Sequence, residues 1–358
     1  MDLFSPFKLG PLELPNRMVM SALTRCRAVA GNVPNPLAIT YYTQRATAGL
    51  ILTEATQVTP MGQGYPNTPG IYSAEQVEGW KKITDAVHQA GGRIFLQLWH
   101  VGRVSLPEFH GGELPVSASA LPVVGKLHTP QFQEKQIVTP RALETSEIPG
   151  VVQQFKKRAE NAKAAGFDGV EIHGANGYLL EQFLKDGTNH RADQYGGSLE
   201  NRMRFPLEVV DAVVSVWGGD RVGYRISPHF DHYSMSDSDP VATYSAFIPE
   251  LNKRKLALLD VVEGISGPRK PKPGATLVTP IARKHFKQAL MVNGGYDAAL
   301  GKDAIEKGSA DLVCYGTLFL ANPDLPERFK KNASLNAADS STFYGGGEKG
   351  YTDYPALA

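Results

Sequence analysis

Gly169-Val170-Glu171-Ile172-His173-Gly174-Ala175-Asn176-Gly177-Tyr178 is a short apolar run that ends in a glycine-punctuated turn. Val170 to Ile172 has the composition of a buried strand, and the turn after it carries a histidine, an asparagine and a tyrosine. His and Asn can each point a neutral N–H at a developing oxyanion. Tyr supplies an O–H with an ordinary pKa near ~10, suited to protonating a strong carbon base. Two oxyanion donors beside one acid are the parts needed to add hydride and a proton across a polarised C=C bond. A strand-end turn with a satisfied His and a core Tyr fits the same residues, so the segment alone leaves both readings open.

The rest of the chain repeats the pattern of this segment. Candidate strands are Met18–Ala22, Gly49–Ala55, Arg93–Trp99, Gly169–His173, Val222–Ile226, Ala257–Glu263, Ala289–Asn293 and Asp311–Tyr315. Amphipathic stretches between them predict helices over Tyr72–Ala90, with Ser73 as N-cap, and over Ile148–Ala165, with Pro149 in its first turn. Phe205–Trp217, Pro240–Leu251, Asp297–Lys307 and Pro323–Lys331 read as further helices. Eight strands with helical crossovers is the count of a (β/α)8 TIM barrel in the α/β class. The alternative is a doubly wound sheet, but no GxGxxG follows the first strand. We therefore expect one barrel domain over residues 1–358.

Three stretches exceed a bare barrel. Phe4–Pro15 reads as an N-terminal β-hairpin that caps the lower mouth. Gly102–Ser146 (residues 102–146) is a Pro/Gly-rich excursion after strand three, expected as a lid or side subdomain. Asn332–Ala358 is a C-terminal tail.

Hydrophobic residues make up 42% of the 358, enough to bury a large core. Lys plus Arg minus Asp plus Glu is 37 − 36 = +1, so no basic excess points to nucleic acid or an anionic membrane. The cysteines are Cys26 and Cys314, with no CxxC, which argues against a disulfide framework or a metal cage. No signal peptide or membrane-length apolar run is visible, and the expected address is cytoplasmic.

In a (β/α)8 barrel the active site lies at the C-terminal ends of the strands. The notable polar residues fall there: Thr24, Gln97 and Trp99, His173, Asn176 and Tyr178, Arg225, Asn293 with Gly294 and Gly295, and Gly316 with Thr317. Glycines after strands seven and eight let backbone N–H groups approach a phosphate, which suits a cofactor such as FMN. Singly, each has an ordinary structural use. Together they mark one rim.

At these residues the chain resembles the old yellow enzyme family of FMN-dependent ene-reductases, which includes plant oxophytodienoate reductases and bacterial nitroester and morphinone reductases. The resemblance runs nearly end to end. Its blocks include Ser21-Ala22-Leu23-Thr24-Arg25, Thr53-Glu54-Ala55-Thr56, Gln97 through Arg103, His173 through Tyr178, Asp193 through Ser198, and Phe319 through Leu325.

The resemblance implies tightly bound, non-covalent FMN, with NADPH or NADH as hydride donor and activated alkenes such as enones, enals, maleimides and nitroalkenes as acceptors. It implies that Ala22, Leu23, Thr24, Ala55, Gln97, Arg225, Gly294, Gly295, Gly316 and Thr317 contact the flavin. His173 and Asn176 would hold the substrate's activating oxygen, Tyr178 would give the proton, and Tyr65, Trp99 and Tyr344 would shape the pocket. The enzyme would act as a monomer or homodimer. Cys26, two residues past Thr24, should not be mistaken for the thiol that one bacterial subgroup carries at the Thr24 position. One departure stands out: relatives place Arg after the glycine of strand eight, where it binds phosphate, and this chain has Thr317. Arg283 is a cation that could fill that gap. Two other readings are a 2-hydroxy-acid oxidase and a flavin-binding protein with a regulatory or structural role and weak turnover. The Tyr178, His173 and Asn176 set favours reduction.

Overall fold

Eight parallel strands close into a ring in the computed structural model, which describes residues 1–265 and 270–357. The barrel strands, first to eighth, are Met18–Met20, Leu50–Leu52, Ile94–Trp99, Gly169–His173, Val222–Ile226, Leu258–Val262, Ala289–Asn293 and Leu312–Tyr315. Each pairs with the next, and Val313↔Met18 and Tyr315↔Met20 join the eighth to the first. This is the expected (β/α)8 barrel.

Strand alternation builds its layers. Outward residues such as Val170, Ile172, Tyr224 and Val261 join Phe155, Val213 and Phe247 of the surrounding helices in one continuous core. Inward residues near the strand starts, including Val19, Leu50, Phe95, Leu258, Ala289 and Leu312, form a second core. Leu9, Leu12 and Leu14 complete it. They come from an antiparallel hairpin, Phe7–Leu9 with Leu12–Leu14, which plugs the lower mouth as expected. Filling the lower half with hydrocarbon leaves the upper half for polar side chains.

Several boundaries differ from the sequence reading, each for a local reason. The second strand stops at Leu52, and pairing with the third resumes only at Thr56–Gln57. Between them the Gln97 N–H donates to the Thr53 hydroxyl oxygen, at 3.2 Å, so a side chain interrupts the ladder. The helix expected from Phe205 begins at Leu199, where the Ser198 side chain accepts from the Asn201 N–H. Pro206 therefore lies inside the helix rather than opening it. The helix expected over Pro323–Lys331 is preceded by a separate short one, Thr317–Ala321, and itself spans Leu325–Lys331. Ser73 does cap its helix, Ala74–Gln89, in a reciprocal capping box with Gln76.

The excursion after the third strand holds a parallel pair, Val116–Ser117 with Arg141–Ala142, and a hairpin, Lys126–His128 with Glu134–Gln136. Val123, Leu127 and Ile137 pack it onto Ala55, Trp99 and Val101 at the barrel's upper rim. The tail is held to the same end by two arginines. Arg25 Nη2 donates to the Gly350 carbonyl at 2.7 Å, and Arg27 Nη2 donates to that of Thr342 at 2.9 Å. Tyr351 stacks on Tyr41 with centroids 4.2 Å apart, and both guanidinium groups lie over the Tyr351 ring.

Candidate active site

The upper end of the barrel opens into a cavity of about 850 Å³. Strand register lays a polar belt across its base. Gln97 pairs with Glu171 between the third and fourth strands, and Arg225 pairs with His173 and Asp260 on its two sides. Gln97 Nε2 donates to Glu171 Oε2 at 2.6 Å, and Arg225 Nε donates to Asp260 Oδ2 at 2.5 Å. Asn293 Nδ2 lies 3.4 Å from the same Asp260 oxygen. Burial alone would make Arg225 easier to deprotonate, but Asp260 and Glu171 outweigh it and raise the guanidinium pKa. Burial pushes the Glu171 carboxyl up to about 7, against the pull of Arg225, with Asp260 adding to the rise.

The guanidinium is not used up by this belt. Arg225 Nη2 is buried and has no hydrogen-bond partner among the described residues. A buried N–H left unpaired costs about 1–3 kcal/mol, more when charged. Arg225 lines the cavity, so a guest there would lie beside its guanidinium.

Beside the belt, the fourth strand ends in the turn 174–178. Its backbone reverses through two left-handed residues, Asn176 at φ 58° and Gly177 at φ 82°. Asn tolerates that conformation better than most side chains, and Gly does so freely. The Ala175 N–H donates to His173 Nδ1 at 3.3 Å, so in the neutral ring Nε2 carries the hydrogen. The Tyr178 ring stands edge-on to His173, 4.9 Å between centroids, and to Trp99, 5.1 Å. Its hydroxyl lies 3.1 Å from that of Tyr65, which in turn lies 3.3 Å from that of Tyr233.

The cavity gathers every expected site residue. His173, Asn176 and Tyr178 line it with Tyr65, Trp99 and Tyr344. Ala22, Leu23 and Thr24 line it after the first strand, and Ala55 after the second. Gln97 and Arg225 lie at the base, while Gly294, Gly295, Gly316 and Thr317 come from the seventh and eighth strands, across the ring from the third and fourth. Gly294 has φ 115°, and a Cβ there would lie 2.7 Å from the Gly264 Cα, so this close turn requires glycine. Cys26 does not line this cavity, and burial pushes its thiol up to about 12.

Arg283 does not fill the Thr317 gap. It donates to Asp311 at 2.7 Å, at the start of the eighth strand, whereas Thr317 follows that strand's end. Side chains that the sequence did not single out individually also belong here. Glu171 and Asp260 form the belt, and their only signal was a lone carboxylate inside an apolar strand. Phe230, His232 and Tyr233 come from the loop after the fifth strand, Val124 and Gly125 from the excursion, and Phe343 from the tail.

Residues 2–336 match the NADH:flavin oxidoreductase / NADH oxidase family. The chain is 51% identical to 12-oxophytodienoate reductase 1 of Oryza sativa subsp. japonica, over 99% of this chain and 93% of that one. It is 48% identical to morphinone reductase solved in complex with tetrahydroNAD, with a TM-score of 0.94, covering 100% of this chain and 98% of that one. An old yellow enzyme homologue from Zymomonas mobilis gives a TM-score of 0.97 at 41% identity, with full coverage of both chains.

Proposed function

From the chain's membership of the NADH:flavin oxidoreductase / NADH oxidase family, to which it belongs as an FMN-dependent NAD(P)H oxidoreductase of old yellow enzyme type, we propose that it reduces activated C=C bonds at this cavity. The carrying observation is one turn that brings His173, Asn176 and Tyr178 together beside Arg225, whose Nη2 awaits an acceptor.

The residues present fit FMN. Arg225 would offer a buried cationic N–H to a flavin, which gains negative charge on reduction, and Gln97 would offer an amide able to donate and accept. Thr24 adds a hydroxyl, Ala22, Leu23 and Ala55 add apolar wall, and Gly294, Gly295 and Gly316 add close backbone. Bound there, FMN would supply hydride chemistry between NADPH or NADH and the β carbon of an enone, enal, maleimide or nitroalkene. The protein's own work is the remainder. His173 Nε2–H and the Asn176 amide hold the activating oxygen and stabilise the charge that grows on it. Tyr178 delivers a proton to the α carbon. Trp99, Tyr65 and Tyr344 bound the space in which the alkene lies.

A colour test decides between enzyme and binder. FMN-loaded protein kept free of oxygen should bleach on adding NADPH and regain its yellow on adding 2-cyclohexenone. Failure to bleach would make it a flavin binder. Bleaching that only oxygen reverses would make it an oxidase.

Thr317 gives a second test. With Arg283 held by Asp311 at the far end of its strand, no charge from that residue compensates for the Arg that relatives place here. A charge-assisted hydrogen bond is worth roughly 1.5–3 kcal/mol, or about 10- to 150-fold in affinity. Thr317→Arg should therefore lower the FMN dissociation constant by an amount in that range and raise the melting temperature by ligand linkage. Unchanged or weaker FMN binding would show that the phosphate already has its cation.

Two free, buried thiols support a cytoplasmic address. Among the described residues no helix is long and apolar enough to cross a membrane.

A further inference from the structure

Beneath the catalytic turn lies a carboxylate that contacts neither cavity nor solvent. Glu181 and Lys185, one helical turn apart, have side chains 0% and 1% exposed, with Nζ 3.1 Å from Oε1. Glu181 Oε2 accepts the Gly177 N–H at 2.6 Å. Oε1 accepts the Ser227 hydroxyl at 2.7 Å and that of Tyr244 at 3.1 Å. Ser227 Oγ in turn accepts the Asn176 N–H at 2.7 Å. The two left-handed residues of the turn are thus both tied to one carboxylate, Gly177 directly and Asn176 through Ser227. Lys185 extends the tie to the neighbouring loop, donating to the carbonyls of Ser227 and Phe230.

We propose that Glu181, acting through Ser227, is a positioning residue that keeps the Asn176 amide and the Tyr178 hydroxyl aimed into the cavity. A buried ion pair is seldom more stable than apolar side chains of the same volume, so stability alone does not explain this one. Its geometry does. A hydrogen bond to a charged acceptor is the stronger kind, and the Gly177 N–H makes one to Glu181, while the Asn176 N–H reaches the same carboxylate through the Ser227 hydroxyl. Without the Ser227 link, Asn176 can relax from φ 58° towards the more populated negative-φ regions, which swings its amide off the substrate oxygen. The inference rests on reading Asn176 as a donor to that oxygen.

A double-mutant cycle tests it on the FMN-loaded enzyme, with 4-chlorophenol as a probe for the oxygen site. Ser227→Ala spares the Glu181–Lys185 pair and should weaken phenol binding roughly 2- to 10-fold, the value of one hydrogen bond. Ser227→Thr, which keeps the hydroxyl, should restore it. In an Asn176→Ala background, Ser227→Ala should weaken phenol binding no further, because the link then has nothing to aim. A purely structural role would lower the melting temperature and leave this non-additivity absent. Unchanged phenol affinity in Ser227→Ala overturns the proposal, as does a full additive loss in the double variant. If Asn176→Ala itself binds phenol as wild type does, the donor reading fails and takes this proposal with it, and the fault is then located at Asn176.

Discussion

Tyr178→Phe is expected to slow alkene reduction about 10²- to 10⁴-fold, the usual contribution of a positioned general acid. Reduction of the enzyme by NADPH should change little. The substitution removes one oxygen and keeps the ring, which is fixed by edge contacts to His173 and Trp99. Packing should therefore survive, and the loss should fall on the proton transfer alone. Single-turnover rates of the two half-reactions, followed by flavin absorbance, separate the effects. An equal fall in both would mean that Tyr178 shapes the site rather than supplying its proton.

The double variant His173→Ala, Asn176→Ala is expected to lose about 10³-fold or more in alkene reduction. Removing one oxyanion donor typically costs about 2.7–4 kcal/mol, and two donors on one oxygen do not add in full. The geometry behind this is specific. The Ala175 N–H occupies His173 Nδ1, so Nε2–H is the donor, and the left-handed turn at Asn176 brings its amide to the same cavity. Phenols, which imitate an enolate over oxidised flavin, should lose their long-wavelength charge-transfer band along with their affinity. A double variant that titrates with phenol as wild type does would place the substrate oxygen elsewhere.

Much of this was legible in the sequence because parallel barrel strands are apolar runs that stop at polar turns. Gly169–His173, Val222–Ile226 and Ala289–Asn293 were bounded by such stops and appear with the expected limits. The second strand was not, because its break at Thr53 depends on a hydrogen bond to Gln97, 44 residues away. The helix from Leu199 starts ahead of the expected Phe205 because Ser198 caps it there, which leaves Pro206 inside it rather than in a first turn, the usual place of proline. At the site, residues next to glycine turns announced themselves. Glu171, Asp260 and Glu181 did not, since each is a lone carboxylate in an apolar stretch and acquires its partners only through strand register or tertiary packing. Arg225 was visible, but its unpaired Nη2 was not.

The most direct test of the central claim is where two hydrogens land. 2-Methylcyclohexenone should be reduced once with nicotinamide deuterated at C4 in ordinary water, and once with unlabelled nicotinamide in D₂O. The account predicts deuterium at the β carbon in the first product and at the α carbon in the second, with Tyr178→Phe slowing the second addition. Solvent deuterium at the β carbon, or nicotinamide deuterium at the α carbon, would contradict it.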